Sequence, residues 1–384
     1  MNFWGYRRPD GRVGIRNKVL ILPASVCAAD TARLVSSQVK ETVTFHNQNG
    51  CSQVPSDQQL TMDVMAGFAA NPNIYGTIVI SLGCENCQMD LVVDAIRQRT
   101  NKPLRQFIIQ ECGGTIATME QAVRAAREMV EEASLLKRES FPISELILGT
   151  ECGGSDPTSG LAANVLIGQL SDLLVQAGAT SILSETTEFI GAEHILARRA
   201  AAPEVRDRIF EIVHRYEKAL QMVGEEVRKG NPSPGNKAGG ITTLEEKSLG
   251  CIHKGGHSPV MEVYDYAKQV EAKKGLVIMD TPGHDPSSVA AMVAGGAQVV
   301  VFSSGRGTPT GNPIAPVIKI TGNRITYANM IDNIDVDASP LIYGGDLKEM
   351  GEELLKLLVE VASGKQTKAE SLGYTEMAIA RACN

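Results

Sequence analysis

Three strand-to-loop junctions of this sequence carry thiols and carboxylates. Phe107-Ile108-Ile109-Gln110-Glu111-Cys112-Gly113-Gly114 is nearly repeated by Leu146-Ile147-Leu148-Gly149-Thr150-Glu151-Cys152-Gly153-Gly154. A third apolar run, Thr77 to Leu82, ends at Gly83-Cys84-Glu85-Asn86-Cys87. Each reads as a buried strand running into a glycine turn, and in an open α/β sheet ligands sit at the carboxyl ends of strands. Soft thiolates select iron, zinc or iron–sulfur clusters. Cys51 (in the loop Gly50-Cys51-Ser52-Gln53), Cys84 and Cys152 are therefore candidate metal ligands, with Glu85 and Glu151 beside them. The alternative is that these cysteines are small residues filling tight packing. Cys84-x-x-Cys87 lacks the second pair of a zinc ribbon, and Cys27, Cys251 and Cys383 read as incidental.

A second set is acidic. Glu185, Glu188, Glu193 and His194 follow the strand Ser181–Ser184 and offer ligands or a general base; the competing reading is a solvated helix start favoured by the helix dipole. His46, flanked by Phe45 and Asn47, is a ligand, a base or a structurally satisfied histidine. Lys237 lies in a Pro/Gly segment, 230–240, ahead of a helix start, a suitable place to meet an anion; no phosphate-loop ending is present. Asp280, His284 and Asp285 end another strand. Arg306 sits in a glycine turn where its fork can grip a carboxylate. Gly305-Arg306-Gly307 lacks the third glycine of a dinucleotide fingerprint, since Thr310 stands in its place.

These residues need strands and helices in alternation to position them. The apolar runs at 18–23, 77–82, 145–149, 275–280, 298–302 and 317–320 read as buried strands. Between them, 28–40, 55–70, 90–100, 116–137 and 161–177 have helical character. The pattern predicts an α/β fold of mostly parallel sheets with helices on both faces. A composition change near 230–250 suggests two Rossmann-like blocks facing each other, an N-terminal α/β domain over 1–230 and a C-terminal one over 231–384. Of 384 residues, 43% are hydrophobic and 21% charged, as in an ordinary soluble globular protein. A net charge of −7 without a basic block argues against nucleic-acid binding. No apolar run approaches the ~18 residues of a membrane span. Eight cysteines without a secretion signal predict a reducing cytoplasm.

Several motifs together resemble the altronate/galactarate dehydratase family over nearly the whole chain. They are Gly5-Tyr6-Arg7 with Asp10-Gly11-Arg12-Val13-Gly14-Ile15-Arg16-Asn17, Gly50-Cys51-Ser52-Gln53, Gly83-Cys84-Glu85, Cys152-Gly153-Gly154-Ser155-Asp156, Asn231-Pro232-Ser233-Pro234-Gly235-Asn236 and Asp280-Thr281-Pro282-Gly283. The resemblance implies an iron-dependent lyase that removes a leaving group β to the carboxylate of a 2-hydroxy acid. In most members water leaves a hexonate such as altronate, or a hexarate; in a close branch sulfite leaves (2R)-3-sulfolactate. It further implies the large subunit of a split enzyme, with a small β-rich partner subunit, in a homo-oligomer. Iron (Fe2+), or an iron–sulfur cluster, would be held by some of Cys51, Cys84 and Cys152, with Glu85 or Glu151. His46 or His194 would take the α-proton, with Glu185 and Lys237 in the catalytic set. Ser155, Asp156, Asn236, Lys237 and Arg306 would bind substrate; Arg12 and Arg16 would add anion contacts or pair with surface carboxylates. A metal-binding scaffold subunit, its chemistry completed by a partner, is the rival expectation from another class.

Overall fold

Runs such as Val19-Leu20-Ile21-Leu22 and Val299-Val300-Val301-Phe302 are apolar on both faces, as a strand sandwiched between helices requires, and every one of these side chains is fully buried. In the computed structural model, which describes residues 1–271 and 274–381, such runs form two parallel sheets. Cys383 lies outside the described residues. The first sheet has four strands in the order β4-β3-β5-β6: β3 (Lys18–Pro23), β4 (Thr42–Thr44), β5 (Ile74–Ser81) and β6 (Leu104–Ile108). The second has seven in the order β10-β11-β9-β8-β12-β13-β14. Its members are β8 (Ile147–Cys152), β9 (Thr180–Leu183), β10 (Val260–Tyr264), β11 (Gly275–Met279), β12 (Val299–Ser303), β13 (Val317–Thr321) and β14 (Val336–Asp337). A small antiparallel sheet joins β1 (Asn2–Arg7) to β2 (Val13–Gly14) and β7 (Glu139–Pro142). Helices cover both faces of the seven-stranded sheet. Val299 and Val301 pack toward the helices Asn164–Gln176 and Leu347–Ala362, while Val300 and Phe302 pack toward the helix Asp285–Ala294.

The expected division at residue 230 does not coincide with these sheets. β8 and β9 precede it and β10 to β14 follow it, yet β9 pairs with β11 and β8 with β12. Parallel neighbours need not be neighbours in sequence, so a composition change need not mark a sheet boundary. The chain passes between the sheets at 135–146 instead. The Pro/Gly segment is a loop over the strand ends, where Ser233 and Asn236 form a capping box on the short helix Pro234–Ala238.

The helices Pro55–Ala70 and Asp285–Ala294 join the two parallel sheets. Asn71, at the end of the first, donates from Nδ2 to the carbonyls of Val293 (2.8 Å) and Ala297 (2.9 Å) at the end of the second. Near the helix starts, the segment 374–381 links Pro286, through the Ala378 N–H, to Asp57, which pairs with Arg381 at 3.5 Å. The two helices thus begin on one side of the molecule, and the carboxyl ends of both parallel sheets open there. No helix among the described residues is long and apolar enough to cross a membrane.

Candidate active site

β8 ends in Glu151 and Cys152, and strand alternation sends these side chains to opposite faces. β9 runs into Glu185, whose backbone lies in the left-handed region at φ 67°. Non-glycine residues in that region are uncommon and cluster at functional sites. Thr281 Oγ1, in the turn after β11, accepts the Glu185 N–H at 2.7 Å and holds it there. The same turn leads to His284 and then Asp285, the first residue of its helix. Asp285 packs so closely on Gly153 that a Cβ there would lie 2.8 Å from Asp285 Cγ and 2.9 Å from Phe302 Cζ. The Pro/Gly loop closes one wall: Asn236 donates from Nδ2 to the Ser155 carbonyl at 2.9 Å and accepts from Lys247 Nζ at 3.1 Å. The result is a cleft of about 730 Å³ at the carboxyl ends of the central strands, lined by Cys152, Ser155, Glu185, Glu188, Tyr216, Asn231, Asn236, Lys247, His284 and Asp285 among others.

Four carboxyl groups share this region with two ammonium groups. Lys254 is fully buried; its Nζ donates to Glu185 and lies 3.0 Å from Cys152 Sγ. Burial works against that charge, but the surrounding sulfur and carboxylate groups outweigh it, and the Lys254 pKa stands well above the usual lysine value. The Cys152 thiol is driven well above its usual range by a hydrogen bond with Cys251 and by burial. Lys247 pairs with Glu188 at 2.6 Å and donates to Asn231 Oδ1 at 2.9 Å. Burial pulls Lys247 down; Glu188 more than offsets it, so its pKa is raised. Glu188 is itself raised by burial and by Glu185, against the pull of Lys247. Asp285 is pushed up to about 7 by burial and by the nearby Glu185 and Glu188. Glu151 is fully buried and raised well above the carboxylate range, first by burial and then by Glu185. Its Oε2 accepts from Ser288 (2.6 Å) and Ser184 (3.0 Å), whereas its Oε1 has no hydrogen-bond partner among the described residues.

Among the described residues, two trios bring one potential ligand atom each within 4.8 Å of one another: Cys152, Glu185 and Cys251, and Glu151, Glu185 and Asp285. The first trio is already held by an ammonium, since Lys254 reaches both Cys152 and Glu185. It suits that resident cation better than a metal.

The expected set Cys51–Cys84–Cys152 is not brought together as such a trio. Cys152 ends a strand of the seven-stranded sheet, while Cys51 and Cys84 stand exposed at strand ends of the four-stranded one. Cys84 follows β5 and Cys152 ends β8, strands that lie in different sheets. Cys84 Sγ accepts from Gln110 at 3.6 Å, and the buried neighbour Cys87 is pushed up to about 12 by burial, then by Glu85 and Cys51. Glu85 is buried and accepts the N–H groups of Leu82 (2.8 Å) and Gly83 (2.6 Å), which commits it to closing its own loop.

The other expected residues divide. Glu185, Ser155 and Asn236 line the cleft. Asp156 sits just behind, accepting from Thr158, Ser159 and Asn323 as a helix cap. Arg306 stands exposed beside Gly154, whose carbonyl its backbone N–H reaches at 2.8 Å, but it is not part of the lining. Lys237 is exposed on its short helix and also outside the lining; Lys229 and Lys247, on either side of it in sequence, are lysines that line the cleft. His194 is exposed, and His46 faces the 377–381 segment. Of the two alternatives for the N-terminal arginines, pairing with carboxylates is the one present, away from the cleft: Arg16 makes a two-pronged pair with Glu370 (2.7 and 2.8 Å), and Arg12 pairs with Asp10 at 2.6 Å. Cys251, read as incidental, is a neighbour of Cys152 and Glu185. Lys254 was passed over, although Lys254-Gly255-Gly256 has the same signal, a cation in a glycine turn, that singled out Lys237 and Arg306.

Comparison with known proteins covers both parts of the chain. The family model for "D-galactarate/Altronate dehydratase, C-terminal" matches residues 143–384, and that for "D-galactarate dehydratase/Altronate hydrolase, second domain" matches residues 5–134. Altronate dehydratase of Bacillus subtilis (strain 168) is 37% identical over 389 residues, covering 98% of this chain and 77% of the relative. The (2R)-sulfolactate sulfo-lyase subunit beta of Chromohalobacter salexigens is 38% identical over 382 residues, covering 99% of this chain and 97% of that subunit. Galactarate dehydratase (L-threo-forming) of Escherichia coli (strain K12) is 33% identical over 384 residues, covering 95% of this chain and 73% of the relative.

Proposed function

Because this chain belongs to the D-galactarate/altronate dehydratase family of lyases, we propose that it catalyses β-elimination of water from a sugar acid of the altronate or galactarate class. The observation that carries this reading is the cleft in which Lys247 and Glu188 meet side by side, both largely withdrawn from water. Removing a proton α to a carboxylate needs a base close to neutrality in strength and a fixed positive charge for the anion that forms. Lys247, kept protonated, anchors the substrate carboxylate. Glu188, raised by burial, accepts the α-proton. His284, whose Nδ1 is 2.9 Å from Ser287 Oγ, donates a proton to the departing hydroxyl from the same cleft. Ser155 and Asn231 orient the sugar hydroxyls. A ferrous ion would be held by Glu151, Glu185 and Asp285, whose carboxylate oxygens lie within 4.8 Å of one another, and would supply further positive charge for the anion that forms.

The test is turnover of altronate and galactarate by the purified chain, followed as appearance of the 2-keto-3-deoxy acid. Glu188→Gln is expected to lower kcat by roughly 10²–10⁴-fold with KM little changed. Absence of keto-acid product from every sugar acid offered, with or without ferrous iron, would refute the reading. A second reading is favoured by one observation: the match spans 97% of the sulfolactate sulfo-lyase subunit beta. In that case sulfite leaves from (2R)-3-sulfolactate and a partner subunit takes part. Sulfite release, measured with and without a co-expressed partner chain, separates the two.

A further inference from the structure

We propose that Lys229 grips a second anionic group on the substrate, so that the cleft prefers a hydroxy acid charged at both ends over a hexonate charged at one. The outer wall of the cleft runs from the end of the helix Pro203–Met222 to the short helix Val227–Gly230. No residue from 214 to 230 is buried, so this wall stands in water and meets the outer end of a ligand. Two ammonium groups of the site are already paired: Lys247 with Glu188, and Lys254 with Glu185. Lys229 lines the cleft too, and its side chain has no partner among the described residues. Its neighbour Arg228 is tied to Glu245 instead and lies outside the lining. The three donors of the Lys229 ammonium are therefore open to a ligand anion.

The reach suits a diacid. Lys247 Nζ donates to Asn231 Oδ1 at 2.9 Å, which fixes the chain two residues from Lys229 beside the ammonium that anchors the reacting carboxylate. Two residues span at most about 7 Å, and the lysine side chain adds its own length. An extended six-carbon diacid covers a similar distance, with one carboxylate on Lys247 and the other on Lys229. Charge then decides the selectivity. Glu225 and Glu226 share the outer wall, and Glu185, Glu188 and Asp285 line the cleft farther in. Unopposed, these carboxylates turn away a second negative group. Lys229 reverses that at the outer wall, and the neutral end of a hexonate gains nothing from it.

This assignment rests on the lyase reading, and one experiment separates their failures. Initial rates of the purified chain with ferrous iron are measured on galactarate, altronate and (2R)-3-sulfolactate. Binding of the same three compounds to metal-stripped chain is followed by isothermal titration calorimetry. The parent should prefer a dianion: galactarate if the second group is a carboxylate, sulfolactate if it is a sulfonate. In Lys229→Met the ratio of kcat/KM for that dianion to kcat/KM for altronate should fall roughly 10-fold or more, chiefly through KM. Lys229→Arg should restore most of the ratio. Arg228→Met removes the same charge outside the lining and should keep the parent's ratio. A parent that prefers altronate, an unchanged ratio in Lys229→Met, or an equal loss in Arg228→Met overturns the assignment. Dianion-selective binding that Lys229→Met abolishes, without product from any of the three, keeps the assignment and sinks the lyase reading. Product from altronate alone does the reverse, and neither product nor binding overturns both.

Discussion

Lys254 shows how much of the chemistry here depends on single enclosed charges. Replacing it by methionine strands the buried Glu185 carboxylate without its cation, a loss of about 3–5 kcal/mol. Lys254→Met is expected to lower the urea midpoint sharply, and Lys254→Met/Glu185→Gln should recover much of it; equal instability of single and double variants would contradict the pairing. Lys319 is the opposite case. It is fully buried on β13, its Nζ has no hydrogen-bond partner among the described residues, and burial drags its pKa from 10.5 down to about 8. Below about pH 8 folded and unfolded chains both hold the proton, and the penalty is complete; between about 8 and 10.5 the unfolded chain holds more protons, so stability rises with pH. The whole gap is worth roughly 3 kcal/mol. Lys319→Met should be more stable at neutral pH and should lose that rise, as urea titrations from pH 7 to 10 would show. The sequence disclosed the strand-end residues of the site, Cys152 and Glu185 in the cleft lining and Glu151 buried beside them, because position on a strand is a local property. It hid Cys251 and Lys247, which arrive from a separate helical stretch through contacts that no spacing encodes, whereas Lys254 from the same stretch carries a glycine-turn signal.

At the scale of elements, the turns matter more than the strands. Gly153 separates Cys152 from the next loop and leaves room for Asp285 on another element. Gly153→Ala pushes that carboxylate aside, and a misplacement of this kind can lower turnover roughly 100-fold. Steady-state rates beside a urea melt check it: activity should fall while the midpoint stays close to the parent's, and a collapsed midpoint would point to a packing role alone. Elements with a strong apolar or helical period were readable: Lys18–Pro23 and Pro55–Ala70 fold with the bounds their residues suggest. β1, β2 and β7 were not foreseen. Asn2–Arg7 alternates buried and exposed positions as a one-sided strand does, but its partner Glu139–Pro142 lies far along the chain and is itself short and polar.

At the scale of the molecule, the two parallel sheets share one core. Val79 and Leu22 of the four-stranded sheet belong to the same apolar cluster as Val277 and Val300 of the seven-stranded one. Asn73 adds a polar bridge, donating to the carbonyls of Gln298 (2.8 Å) and Ile314 (3.1 Å) while its Oδ1 accepts from Ile15 at 2.9 Å. Order across the two sheets was illegible because sequence reveals that strands exist, not which strands they lie beside. At the head of the crossing between the sheets, by contrast, Leu135 is 79% exposed just after the long helix Thr115–Ser134. Exposed joints of this kind tolerate cleavage. A gene broken after Leu135 should therefore yield two polypeptides that are each insoluble when made singly and that co-purify with activity when made together. Separate soluble halves, or a pair that never associates, would show the halves to be independent bodies. On this architecture a covalent link at that joint is dispensable, and fission of the reading frame there would leave the catalyst intact.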